Sequence, residues 1–91
     1  MGQKRRPIPE RLPEKLKEIR QRLGLSQEQL VTRFADVHSL DAGMISRFEQ
    51  GKREPTLVVL LEYARLAGVH MEVLVDDALD LPARFPGRKR F

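Results

Sequence analysis

The chain has no cysteine and no tryptophan, and only one tyrosine, four phenylalanines and two histidines. Without cysteine there is neither a disulfide framework nor a thiolate metal site, a usage that suits a reducing compartment. His38 and His70 stand 32 residues apart with no helical pairing to the acidic residues, so a zinc site is not expected. Asp76, Asp77 and Asp80 cluster without the spacing of a calcium loop. No glycine-rich phosphate loop follows a strand, and no nucleophile stands beside a base. Neither a metal, a cofactor nor an enzymatic activity is expected. The longest apolar runs fall far short of the ~20 residues a membrane span requires, and the basic start lacks an apolar stretch behind it. The expectation is a soluble, cytoplasmic protein without membrane attachment. Its 91 residues, 41% of them hydrophobic, are enough for one small domain.

What charge there is lies mostly at the ends. The formal total is +4; residues 1–11 hold a net +3, residues 84–91 a net +4, and the stretch between them −3. A mildly acidic domain with two basic tails points to a polyanionic partner, most commonly nucleic acid. Terminal charge that merely keeps the tails solvated is the competing explanation. The chain therefore divides into a basic arm over 1–11, a domain over 12–78 and a basic tail over 79–91.

Apolar periodicity predicts five short helices and no strand pair, an all-α bundle. Leu12, Leu16, Ile19 and Leu23 form the stripe of a first helix that opens near Pro13 and ends at Gly24-Leu25, a left-handed cap followed by an apolar contact. Ser26 to Gln29 is a capping box opening a second helix, with Leu30 and Phe34 buried. The pattern lapses from Ala35 to Leu40, and Asp41 or Ser39 caps a third helix that closes at Gly51. Thr56 caps a fourth, expected as the central packing element through Leu57, Val58, Leu60, Leu61, Ala64 and Ala67; it ends at Gly68. A short fifth helix runs from Met71 to about Val75.

The third helix has two unlike faces. Met44, Ile45 and Phe48 fall within about 100° of one another, whereas Ala42, Gly43, Ser46, Arg47 and Gln50 span about 140° of the opposite side. That second face carries small groups and one arginine instead of the Glu/Lys mixture of a solvated helix, which predicts that something approaches it closely. Glycine inside a helix costs about 1 kcal/mol relative to alanine. At Gly43 either close approach offsets that cost or the helix begins at Met44.

Three blocks in order, Leu23-Gly24-Leu25-Ser26-Gln27-Glu28-Gln29-Leu30, then Met44 through Pro55 with its Ile45-Ser46-Arg47-Phe48-Glu49-Gln50-Gly51 core, then Leu60-Leu61 through Ala67-Gly68-Val69, resemble the Cro/cI-type (XRE) helix-turn-helix family over roughly residues 13–76. The resemblance implies a lambda-repressor-like bundle of about five helices that binds double-stranded DNA, usually as a symmetric dimer that represses transcription, hence a cytoplasmic, nucleoid-associated regulator. It implies base-facing positions at Ala42, Gly43, Ser46 and Arg47, with Arg47 suited to bidentate donation to guanine. Gln27, His38, Gln50, Lys52 and Arg53 are expected at phosphates. An ion pair between Arg20 and Glu49 is expected to tie the first helix to the reading helix. The chain departs from the family in about four extra residues between the second-helix block and Ile45. Val69, Met71, Val73 and Leu74 are the expected dimer surface. The rival is an antitoxin or regulatory subunit whose tail, through Arg84, Phe85, Arg88, Lys89, Arg90 and Phe91, wraps a protein partner.

Overall fold

The computed structural model describes residues 8–34, 37 and 39–86. Its helices are α1 Leu12–Arg22, α2 Gln27–Arg33, α3 Ala42–Glu49, α4 Leu57–Ala67 and α5 Met71–Val75, with no strand among the described residues, so the chain is all-α. No helix there is long and apolar enough to cross a membrane.

Local chemistry sets most of the helix ends. Ser26 Oγ accepts from the Gln29 backbone N–H at 3.0 Å while the Gln29 side chain accepts from the Ser26 N–H at 2.8 Å, so both halves of the capping box are made. Asp41, not Ser39, caps α3, its carboxylate accepting from the Met44 N–H at 2.8 Å; Ser39 instead holds a left-handed backbone, φ 70°. At the end of α1 the Leu25 N–H donates to the Arg20 carbonyl and the Gly24 N–H to that of Gln21, a paired arrangement that needs the φ of +71° at Gly24.

The core gathers Leu12, Leu16 and Ile19 from α1, Leu30 and Phe34 around α2, Ile45 and Phe48 from α3, and Val59, Tyr63, Ala64, Leu66 and Ala67 from α4. The Phe34 and Tyr63 rings meet edge to face at 4.9 Å, a geometry the ring quadrupoles favour. Two expectations need correction. α1, not α4, is the central element, because it packs against α3, α4 and α5 together. Leu57 and Val58 stay outside the core, 75% and 59% exposed, because the buried arc of α4 centres on Val59, Tyr63 and Leu66 and these two residues lie on the opposite face, with Leu61 and Arg65.

Polar contacts tie the start of α1 to the end of α5 in both directions. Arg11, at the head of α1, makes no side-chain cap of its own. The Asp77 carboxylate supplies one, accepting from the Glu10 N–H at 2.9 Å and the Arg11 N–H at 3.0 Å. Those two bonds, Arg11's first, hold the Asp77 carboxyl below its ordinary range. The Arg11 guanidinium reaches the Asp77 carbonyl at 2.8 Å and Asp80 at 2.7 Å, so one of the arm's four cations is already paired within the domain. The acidic cluster thus belongs to the fold.

Lys15, 2% exposed, donates to the carbonyls of Val73 at 2.8 Å and Asp76 at 3.0 Å, the second of which also accepts from the Leu79 N–H at 3.0 Å. Hydrogen bonds from a charged donor are worth about 1.5–3 kcal/mol, and a buried carbonyl left without one is penalised. Lys15→Met, which keeps the stem and removes the donor, is expected to lower the unfolding free energy by about 2 kcal/mol. Urea denaturation checks it; an unchanged midpoint and slope would show that water replaces the ammonium without cost.

Candidate nucleic-acid interface

α3 begins at Ala42, so Gly43 lies within the helix and the choice left open by the sequence falls to the earlier start. Ile45 and Phe48 are buried, whereas Gly43, Arg47 and Gln50 are exposed and Ala42 and Ser46 half-buried. No helix and no described part of the tail lies over Arg47. A Cβ at Gly43 would come within 3.2 Å of the Asp41 carboxylate and 3.8–3.9 Å of both terminal nitrogens of Arg47. The Arg47 guanidinium therefore lies back across Gly43, one turn toward the start of the helix, and the missing side chain leaves that end of the face low.

Ser46 and Gln50 are one unit, the Gln50 amide donating to the Ser46 hydroxyl oxygen at 2.8 Å. The Ser46 O–H and the Gln50 amide oxygen are turned to whatever meets this face.

Behind the face Arg20 and Glu49 join α1 to α3. Arg20 Nε donates to Glu49 Oε2 at 2.7 Å and a terminal nitrogen to Oε1 at 2.9 Å, with the side chains 14% and 4% exposed. The remaining terminal nitrogen donates to the Leu25 carbonyl at 2.9 Å, which adds the turn into α2 to the same clamp. Glu49, through its hydrogen bonds first, raises the guanidinium above its already high ordinary value. The Gln27 amide donates to the same carboxylate, Oε1, at 3.2 Å. One of its two N–H groups is thereby used, and the other remains for an acceptor outside the protein. The Tyr63 hydroxyl is buried without a hydrogen-bond partner among the described residues; burial, followed by the nearby Glu49 charge, pushes its phenol upward.

The chain leaves α3 through Gly51, φ +72°, where a Cβ would also stand 3.3 Å from the Pro13 ring. Both the backbone and the neighbour demand glycine there. The Lys52 and Arg53 N–H groups then return to the Arg47 carbonyl, at 2.9 and 3.3 Å, so both exposed cations project from a loop fixed to the end of α3. The residues expected to face bases and those expected at phosphates, Gln27, Gln50, Lys52 and Arg53, thus belong to one α2–α3–loop assembly. His38 lies outside the described residues, as do Arg88, Lys89, Arg90 and Phe91 and the first seven residues of the arm. Val37 and Leu40 on either side of His38 pack partly against the core, so the extra residues between α2 and α3 are fastened at two points.

The expected dimer surface is corrected at Leu74, which is fully buried in the core, whereas Val69, Met71 and Val73 are half-buried. Sequence reasoning missed Lys15, the Asp77 cap and the Arg22 contacts with the tail. Lys15 does sit between Leu12 and Ile19 on the apolar stripe of α1, the one signal that marked it for burial.

Removing one partner of a buried ion pair strands the other charge, so Arg20→Ala is expected to cost about 3 kcal/mol. Arg20→Lys, which keeps the charge but loses the fork, should recover only part of that loss. Thermal melts of the two variants measure this, and equal melting temperatures for Arg20→Ala and the parent would remove the clamp from the account.

Among known proteins, a family model described as helix-turn-helix matches residues 16–74, well over half the chain. No curated protein and no solved structure matches it.

Proposed function

The chain belongs to the Cro/cI-type (XRE) helix-turn-helix family of DNA-binding transcription regulators, and from that premise we propose that it is a sequence-specific repressor that binds a near-palindromic operator as a homodimer. The observation that carries the reading is the exposed face of α3, low at Gly43, with the Arg47 fork lying across it. A helix presented in this way fits a major groove about 12 Å wide, and an arginine can donate two parallel hydrogen bonds to guanine O6 and N7. Ser46 and Gln50 offer a hydroxyl donor and an amide acceptor to the neighbouring base edge or phosphate. Gln27, Lys52 and Arg53 meet the backbone on either side and set the register without reading sequence. The exposed surface also holds Leu57, Val58 and Val75, 75%, 59% and 39% exposed, beside a groove lined by Pro9, Leu12, Pro55 and Leu60. In place of Leu74, these residues serve as the self-complementary face of the dimer, which a two-fold operator requires to hold reading helices about 34–36 Å apart.

Selection of bound duplexes from a random pool tests the proposal directly. Arg47→Ala is expected to lose about 1–3 kcal/mol on the selected site and little on random duplex. Lys52→Ala with Arg53→Ala should weaken both equally and reduce the salt slope by about 2. Equal losses on both duplexes from Arg47→Ala would show that this side chain does not read bases.

The dimer is checked by sedimentation. Leu57→Asp places a charge at the centre of the apolar face and is expected to leave a folded monomer with an unchanged circular dichroism spectrum. A dimer that persists in this variant excludes the face.

A further inference from the structure

Asp41 brings more to the head of α3 than a cap requires. Its Oδ1 accepts from the Met44 N–H at 2.8 Å, which closes the first turn. The second carboxylate oxygen has no partner among the described residues, and the side chain is exposed. A neutral oxygen is enough for capping, as Ser26 and Thr56 show at the heads of α2 and α4. A full negative charge on a surface proposed to meet phosphates is unfavourable unless a donor on the duplex answers it. The helix dipole also favours a carboxylate at this end, but that benefit is the same on every base sequence.

The placement of the carboxylate relative to Arg47 points to that donor. A Cβ at Gly43 would stand 3.2 Å from Asp41 Oδ1 and 3.8 and 3.9 Å from the two terminal nitrogens of Arg47. One acceptor and one fork of donors therefore gather around the same glycine on the exposed side of α3, and glycine puts no side chain between them. They form no ion pair with each other, so both stay available to successive base pairs.

The chemistry of base edges then selects the partner. A carboxylate can only accept, and in the major groove only cytosine N4 and adenine N6 donate. Adenine sets its N7 acceptor beside that amino group, whereas cytosine presents the donor alone, so cytosine suits a carboxylate. We propose that Asp41 is a second specificity-determining residue, its outer carboxylate oxygen accepting from the amino group of a cytosine in the base pair stacked next to the guanine read by Arg47. This inference rests on the reading of α3 proposed above.

The test uses Asp41→Asn in the full chain, with duplexes selected from a random pool. Asparagine caps as well as aspartate does. With its oxygen kept on the Met44 N–H, its amide nitrogen takes the outer position, so a donor replaces an acceptor at the same place. Arg47→Ala first marks the guanine column, as the one whose preference it removes. At the neighbouring column Asp41→Asn should exchange cytosine for guanine or thymine, the bases that present carbonyl acceptors, and should bind the parent's site about tenfold more weakly with no loss on random duplex. Asp41→Ser, a cap too short to reach a base, should lose the cytosine preference without gaining another. Circular dichroism melts verify that the variants are folded. Unchanged columns in both Asp41 variants, with selected and random duplex shifted by the same factor, would reduce Asp41 to a cap. A change confined to the guanine column would make it a positioning residue for Arg47 and overturn the base contact. Either result leaves the reading of α3 intact, whereas a parent chain that selects no common sequence overturns both.

Discussion

The orientation of α3 depends on one buried arrangement, the Arg20 guanidinium shared between the Glu49 carboxylate and the Leu25 carbonyl. An eight-residue helix is too short to be stable on its own in water, so its position must come from tertiary contacts. The apolar side of α3 supplies attraction through Ile45 and Phe48, but apolar packing is tolerant of small rotations. A bidentate pair is not. It fixes the last turn of α3 against α1 within hydrogen-bonding tolerance, and the Leu25 contact fixes the start of α2 by the same group. The cost of burying two charges is offset by satisfying both oxygens of Glu49 and every side of the fork. Gln27 then shares the Glu49 carboxylate, so a residue expected at the DNA backbone is positioned by the same pair that positions α3.

A second constraint works at a distance from that face. α5 has only five residues and is held by its buried Leu74 and through its C-terminal end, by Lys15 on its carbonyls and by Asp77 on the start of α1. Each helix thus completes the other's unpaired backbone groups, which closes the bundle without a further layer of apolar residues. That economy suits a chain of this size, since a small domain buries a smaller share of its surface than a large one. It also accounts for the acidic cluster at Asp76, Asp77 and Asp80, whose oxygens are taken by backbone N–H groups and Arg11.

Most of the fold is legible in the sequence because its signals are local. The capping box at Ser26, the glycines that end α1 and α3, and the apolar stripe of α1 act over four or five residues, a range within which sequence order and spatial order agree. The face of α3 is legible for the same reason, and so is the Arg20–Glu49 pair, through the family resemblance and the place of both residues on the flanks of their stripes. What escapes are contacts between residues 58 to 69 positions apart. Nothing near Lys15 announces the carbonyls of Val73 and Asp76, and nothing near Asp77 announces the head of α1. The exposure of Leu57 and Val58 escapes too, because apolar residues occur nearly all round the first turn of α4 and periodicity does not say which side the bundle covers.

The same limit explains why the tail looks separate from the domain. By composition residues 79–91 are a proline-containing basic segment, and composition of that kind is read as a linker. The contacts that bind its first half are made by two arginines at the ends of α1, and an arginine on a helix flank looks like solvation until a carbonyl and an aromatic ring arrive over it. Arg11 and Arg22 therefore belong to the fold and subtract from the charge available to a polyanion. Charge that the total of +4 spreads evenly is in fact sorted: paired cations along the outer flank of α1, exposed ones at Arg47, Lys52 and Arg53 and at Arg84. Because screening shortens electrostatic reach to about 8–10 Å at working ionic strength, this sorting, more than the net charge, decides which surface of the domain a phosphate backbone meets first.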